Sequence, residues 1–294
     1  MTFNIWLSGA SVNDGLRKIA KHIALVNPDI VALQEVENVD VVDNLTALLG
    51  HKWKGIYHLY STTPDVGILT KHEIHLHSYV NTSRSIGVRI FVDSVYFVNF
   101  WSVHLDYRSY GPYAANNKLV VSIDQIMAGE HPLNSKGRAQ NMEEIKYNSK
   151  MTAWRKKSKI VPLIVAGDFN CPSHLDWTSK TQRKHGGWTV QWPATVMMQE
   201  MDFFDSFREL HPDIEAEPGY TWSTVNKFNA EWDYTIPEPQ DRIDFIFYQG
   251  NLSPVKSFTY AGSKPLRPIP YHKDNDYPSD HYAVVTDFDM SDVL

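Results

Sequence analysis

Polar residues able to do acid–base or metal chemistry stand directly beside apolar, strand-like runs at five separated places in this 294-residue chain. Asn4 follows Thr2-Phe3, Glu35 closes the run Ile30-Val31-Ala32-Leu33-Gln34, and His104 follows a run ending at Val103. Asp168 and Asn170 come after Val165-Ala166-Gly167, and Asp280-His281 precede the last run, Tyr282 to Phe288. Carboxylate and amide oxygens are the hard ligands that Mg²⁺ takes. A carboxylate or imidazole can also move a proton, and a donor imidazole can steady a developing oxyanion. Each residue alone has a plainer use: Asn and Asp beside strands commonly close turns, and a lone His is commonly a hydrogen-bonded structural residue. Strand ends converge in layered folds, so all five together point to one cleft.

The elements that must position them are legible in part. Phe3-Asn4-Ile5-Trp6 reads as a core strand. Between Val12 and Val26, Leu16, Ile19, Ala20, Ile23 and Val26 recur at helical spacing, and Asn27-Pro28 ends that helix because a residue before proline avoids the α region. β-Branched and aromatic runs predict strands at 30–33, 56–60, 66–70, 73–80, 86–92, 95–103, 161–166, 242–248 and 282–288. Residues 112–156 read as helical and lead into a basic stretch, Lys146 to Lys159. Strands joined by helices in some places and by hairpin-like spacings in others imply an α/β fold of two packed sheets with outer helices.

The order of the motifs resembles the endonuclease/exonuclease/phosphatase superfamily, the deoxyribonuclease-I-like metal-dependent phosphoesterases. The resemblance rests on Thr2-Phe3-Asn4-Ile5, Gln34-Glu35-Val36, Val103-His104-Leu105, Gly167-Asp168-Phe169-Asn170, Arg242-Ile243-Asp244 and Ser279-Asp280-His281 in that order. It implies a four-layer α/β sandwich, with two packed mixed β-sheets flanked by helices, and one catalytic domain over 1–294. It also implies roles. Glu35 is the main carboxylate ligand of Mg²⁺ or Mn²⁺, with Asn4 and Asp280 nearby. Asp168 activates the attacking water, Asn170 positions water or phosphate, and His104 and His281 donate to phosphate oxygens. Asp244 holds the His281 tautomer. At one place the pattern departs: some nucleases of the superfamily carry an acidic residue two positions after the first Asn, where this chain has Trp6.

Composition narrows the substrate. With 43% apolar residues the chain can bury a large core, and its single cysteine, Cys171, excludes an internal disulfide framework and is expected to be a small packed side chain. No apolar stretch approaches a membrane span. A net charge of −6 gives no global field for gripping duplex nucleic acid, so a phosphodiesterase (or phosphomonoesterase) on a small or accessible substrate ranks first and a nuclease on DNA or RNA second. A sphingomyelinase-like or inositol-phosphate phosphatase activity ranks third, and a catalytically inactive binding protein is the alternative of another class. The aromatic residues Tyr107, Tyr110, Tyr113, Trp177, Trp188 and Trp192 are candidates for substrate contact or for closing the core edge, and Lys146 to Lys159 for phosphate contact or a solvated helix face. Arg242 is expected to be an ion-pair partner rather than a catalyst. The N-terminus shows no leader, an expectation compatible with a cytoplasmic protein or a secreted one whose leader is removed; oligomeric state is unread.

Overall fold

The computed structural model describes residues 1–92 and 95–291. In chain order the first half contains β1 (Thr2–Asn4), α1 (Gly15–Val26), β2 (Ile30–Val36), α2 (Asp40–Leu49), β3 (Lys54–Tyr57), β4 (Asp65–Thr70), β5 (Glu73–Thr82), β6 (Ser85–Phe91) and β7 (Phe97–His104). Four short helices follow: α3 (Gly111–Asn116), α4 (Ile123–Ile126), α5 (Arg138–Lys146) and α6 (Ser149–Arg155). The remainder is β8 (Leu163–Asp168), α7 (Pro193–Glu200), β9 (Phe204–Asp205), α8 (Ser206–Leu210), β10 (Asp244–Gln249), β11 (Ser253–Tyr260) and β12 (Ala283–Asp289).

The strands form two mixed six-stranded sheets, ordered β11-β12-β1-β2-β4-β3 and β5-β6-β7-β8-β10-β9. Each has one parallel pair near its middle, β1 with β2 and β7 with β8, and antiparallel neighbours elsewhere. Three apolar clusters make this a four-layer sandwich. Ala32, Ile68, Val88, Phe100, Ala166 and Val284 pack between the sheets. Phe3, Ile19, Ile23, Leu33 and Leu45 join the first sheet to α1 and α2, while Trp101, Val165, Met142, Trp154 and Phe247 join the second to its helices. The period of two in β2 divides Ala32 and Leu33 between two clusters, as a strand buried on both faces requires. Each such large side chain taken fully out of water contributes about 1.5–3 kcal/mol.

Near the site the sheets are joined by polar contacts. Ser102 Oγ donates to the Leu33 carbonyl (3.1 Å) and accepts from Gln34 Nε2 (3.4 Å). β7 and β8 approach closely at Gly167, where a Cβ would lie 2.0 Å from the Val103 carbonyl oxygen. That approach sets His104 opposite Asp168 in the parallel register, and Asp244 opposite Asp168 in the antiparallel one.

The expected helical region 112–156 is four short helices separated by loops. Pro132, which has no N–H for a helical bond, lies between Gly129 and Gly137, and α6 restarts with Asn148 accepting from the backbone N–H of Lys150 (2.9 Å). The strand expected from Arg242 begins at Asp244, and that expected at 56–60 spans Lys54–Tyr57. No helix among the described residues is long and apolar enough to cross a membrane.

Candidate active site

The C-terminal ends of the two parallel pairs meet. Asp168, at the end of β8, is 1% exposed. Its Oδ1 accepts the Asn170 backbone N–H (2.8 Å) and its Oδ2 accepts from Asn4 Nδ2 (3.0 Å). Asn170 adopts a left-handed φ of 50° and donates its side-chain N–H to the Leu105 carbonyl (3.0 Å), which fixes the turn after β8. Two buried imidazoles aim Nε2 at the same Asp168 oxygen, His104 from 3.6 Å and His281 from 3.7 Å. Behind each stands a carboxylate: Asp65 Oδ1 lies 2.8 Å from His104 Nδ1, and Asp244 Oδ2 lies 2.9 Å from His281 Nδ1. Asp244 is steadied in turn by Thr221, whose Oγ1 accepts its backbone N–H (3.0 Å).

Glu35 stands at a bulge, where β2 shifts register against β4 between Gln34 and Val36, with φ 63°. A bulge re-aims the side chain. Glu35 Oε1 accepts from Asn4 Nδ2 (3.0 Å) and Oε2 from the Leu7 backbone N–H (2.6 Å). Ser279 ties the last motif to the first strand: its Oγ donates to the Asn4 carbonyl (2.7 Å) and accepts the His281 backbone N–H (3.1 Å). Asn4 is expected to be a metal ligand from the sequence, yet here its Oδ1 accepts the Trp6 backbone N–H (3.0 Å). Its amide nitrogen therefore faces two carboxylates as a donor.

The electrostatics follow from burial and pairing. Burial opposes charge on His104, but the Asp65 carboxylate, helped by Asp168, outweighs it and raises the pKa to about 9. His281 is likewise raised well above the ordinary imidazole value, its burial outweighed by Asp244 and Asp168. Burial raises Asp244 to about 6, against the pull of His281. Asp280 is raised to about 8 by burial, with the Glu35 and Asp168 charges adding to the effect. Its Oδ1 is buried and accepts no hydrogen bond from any described residue.

A hard divalent cation suits this donor set, because it would supply the partner that Asp280 lacks and offset the carboxylates of Glu35 and Asp168. A second grouping, Asp168, Asp244 and His281, offers three ligand atoms within 4.8 Å of one another. Glu35 and Asp280 line the cavity beside that grouping and could also hold a cation, while within the grouping Asp244 Oδ2 and His281 Nδ1 already bond to each other. Glu35, His104, Asp168, Asn170, Asp280 and His281 all line one cavity of about 720 Å³, while Asn4 and Asp244 lie behind it.

The Endonuclease/Exonuclease/phosphatase family model matches residues 1–281. The chain belongs to this family. An uncharacterized Caenorhabditis elegans protein, F14F9.5, is 53% identical over 288 residues, covering 98% of this chain and 90% of its own. Among solved structures, an AP endonuclease from Archaeoglobus fulgidus matches with TM-score 0.58 and 16% identity, over 98% of both chains. The human Nocturnin catalytic domain with bound sulfate matches with TM-score 0.57 and 17% identity, over 98% of this chain and 92% of that one. D. rerio TDP2 complexed with a single-strand DNA product matches with TM-score 0.55 and 16% identity, over 98% and 97%. At these identities the structural likenesses establish the DNase I-like sandwich.

Within this family member, several side chains absent from the sequence-based site complete the cavity. Asp65 holds His104 and also accepts from Arg84 Nη1 (3.2 Å). Trp222 sets its ring 4.7 Å from that of His281, and Trp232 lines the same cavity. Of the aromatic candidates, Tyr107, Tyr110 and Tyr113 line the cavity, whereas Trp177 and Trp192 are fully buried in the core and Trp188 packs against it. Cys171 is buried as expected, and burial raises its thiol pKa far above the ordinary range, so it is no nucleophile. Arg242 is a structural ion-pair centre with Asp176 and Asp205. Lys156, Lys157 and Lys159 are exposed and lie before Leu163, at the end of β8 remote from Asp168.

Proposed function

We propose that this chain is one catalytic domain, a phosphoesterase dependent on Mg²⁺ or Mn²⁺ that hydrolyses a phosphodiester or phosphomonoester by direct attack of water. The observation that carries this reading is the convergence of two carboxylate-backed imidazoles on the buried carboxylate of Asp168. Glu35 and Asp280 are the residues to hold the ion, which when bound withdraws charge from a phosphoryl oxygen and steadies the leaving oxyanion.

The chain's own residues do the rest. Asp168 Oδ2 accepts a proton from the attacking water as the water oxygen bonds to phosphorus and the bond to the leaving oxygen breaks. Asn4 and the Asn170 backbone N–H fix the Asp168 carboxylate by hydrogen bonds at 3.0 and 2.8 Å, which sets the direction of that transfer. The Asn170 side-chain oxygen orients water or phosphate, a role left to it because its nitrogen is committed to Leu105. His104 and His281, held protonated by Asp65 and Asp244, donate from Nε2 to non-bridging oxygens where charge builds up. A small phosphate ester is favoured as substrate, because Lys156, Lys157 and Lys159 lie at the far end of β8 and the site is a cavity lined in part by aromatic residues.

Turnover of bis(p-nitrophenyl) phosphate and p-nitrophenyl phosphate in Mg²⁺ or Mn²⁺ tests the reading. Asp168→Asn keeps size and hydrogen bonding but removes basicity, and is expected to lower the rate by about 10²–10⁴-fold with the fold intact. Near-normal turnover by that variant would contradict the role of Asp168.

A further inference from the structure

The cavity has two chemically different kinds of lining. One is the carboxylates and imidazoles just described; the other is aromatic, with Tyr107, Tyr110 and Tyr113 from the segment after His104 lining the same space as Trp222 and Trp232 from the segment before β10. Most of these rings have structural work. The Tyr110 hydroxyl donates to Asp241 (3.0 Å), and Trp222 Nε1 donates to Glu238 (2.7 Å). Tyr107 and Trp232 do not pack into the core: they are 63% and 44% exposed, yet both line the cavity beside the reacting centre. The backbone under Tyr107 is held in place. Fully buried Arg138 donates to the carbonyls of Asp106 (3.0 Å), Arg108 (2.8 Å) and Ser109 (3.2 Å) and is itself paired with Glu130. Trp232 ends a short 3₁₀ turn, Ala230–Trp232, whose preceding Asn229 side chain accepts the Trp232 N–H (3.2 Å).

Charge restricts the occupant further. Among the described residues lining the cavity, the cations are Arg84, Arg108, His104 and His281, and every one faces a carboxylate. Arg108 forks onto Asp106, and Arg84 bridges Asp65 and Asp106. A second or third phosphate would meet there only cations whose charge a carboxylate already offsets. A ring without charge would meet aromatic faces, on which planar groups stack.

We infer that Tyr107 and Trp232 form a stacking subsite for a planar aromatic group carried by a substrate with one phosphate, a nucleoside or aryl phosphate ester. The inference rests on the phosphoesterase reading for its phosphate end only. The subsite pre-orders the planar group and so places the ester bond over Asp168.

The test compares probes that differ only in the ring. Adenosine 5′-monophosphate and ribose 5-phosphate compete against bis(p-nitrophenyl) phosphate hydrolysis in Mg²⁺, and the same probes are titrated calorimetrically onto the full chain. Phenyl phosphate against methyl phosphate separates any aryl group from a nucleobase. Adenosine 5′-monophosphate is expected to bind roughly 5–150-fold more tightly than ribose 5-phosphate. Tyr107→Ala and Trp232→Ala should each shrink that ratio, and Tyr107→Phe and Trp232→Phe should keep it. Equal affinity of the two sugar phosphates, or tighter binding of inositol 1,4,5-trisphosphate than of adenosine 5′-monophosphate, would overturn the subsite and leave the hydrolase reading standing. A ring preference in calorimetry with no turnover of any ester would do the reverse.

Discussion

His104 and His281 reach one carboxylate oxygen from two sides, and each depends on the acid behind it for its proton. For His104 this has a signed consequence. Its pKa in the fold, about 9, lies above the unfolded value, so the stability it contributes is full below about pH 6.5 and is lost as pH rises through about 9. The melting temperature of the wild type should exceed that of His104→Gln most at pH 6, and the gap should narrow by pH 9.5. A gap constant with pH would refute the Asp65 pairing. For the second pair, Asp244→Asn and His281→Gln should each cut the rate severely, and the double variant should be little worse than the poorer single one, because residues acting as a unit are non-additive. Multiplicative losses in that cycle would mean the two do not work together. Asp244 and His281 were legible through their motifs, and Asp244 pairs with His281 instead of its near neighbour Arg242. Asp65 was not legible: an acid opening a strand has no local signature, and only its position at the start of β4 brings it to His104.

At the scale of elements, the strands that carry the site are held by a buried ionic knot. Arg242 donates to Asp176 (2.9 Å) and Asp205 (2.6 Å), and its guanidinium lies 4.7 Å from the Phe245 ring centre. It thereby ties the segment after β8 and the start of α8 to the entry of β10, two residues before Asp244. Removing one member strands buried charge, so Arg242→Ala should lose about 3–5 kcal/mol in a denaturant titration. A loss below about 1 kcal/mol would contradict that role. Elements with a strong period were readable: α1, expected over 12–26, spans Gly15–Val26. Others carried a misleading residue. β11 alternates Val255, Ser257 and Thr259 against Lys256, Phe258 and Tyr260, but Pro254 argues against a strand, and the sheet tolerates it because β11 is an edge with a bulge between Pro254 and Lys256. α2 and α7 escaped because Asp40–Leu49 and Pro193–Glu200 are short and lie between stronger signals.

Over the whole molecule, the two-sheet sandwich was legible because the motifs fall at the ends of apolar strands. The cavity's aromatic lining was not, since Tyr107 and Trp232 lie 125 positions apart in the sequence and come to one cavity only in the fold. The net charge of −6 and the remote basic stretch agree with a substrate gripped inside the cavity rather than along the surface. All of these features serve one claim, that a divalent cation held by Glu35 and Asp280 works with Asp168 on a phosphate ester. The most direct measurement is hydrolysis of bis(p-nitrophenyl) phosphate by the wild type and Glu35→Gln, each titrated with Mg²⁺ from a chelator-stripped state. The account predicts no turnover in excess EDTA, full recovery on adding Mg²⁺, and for folded Glu35→Gln both a weaker Mg²⁺ dependence and a lower maximal rate. Undiminished hydrolysis in excess EDTA, or a Glu35→Gln titration that overlays the wild type, would contradict it.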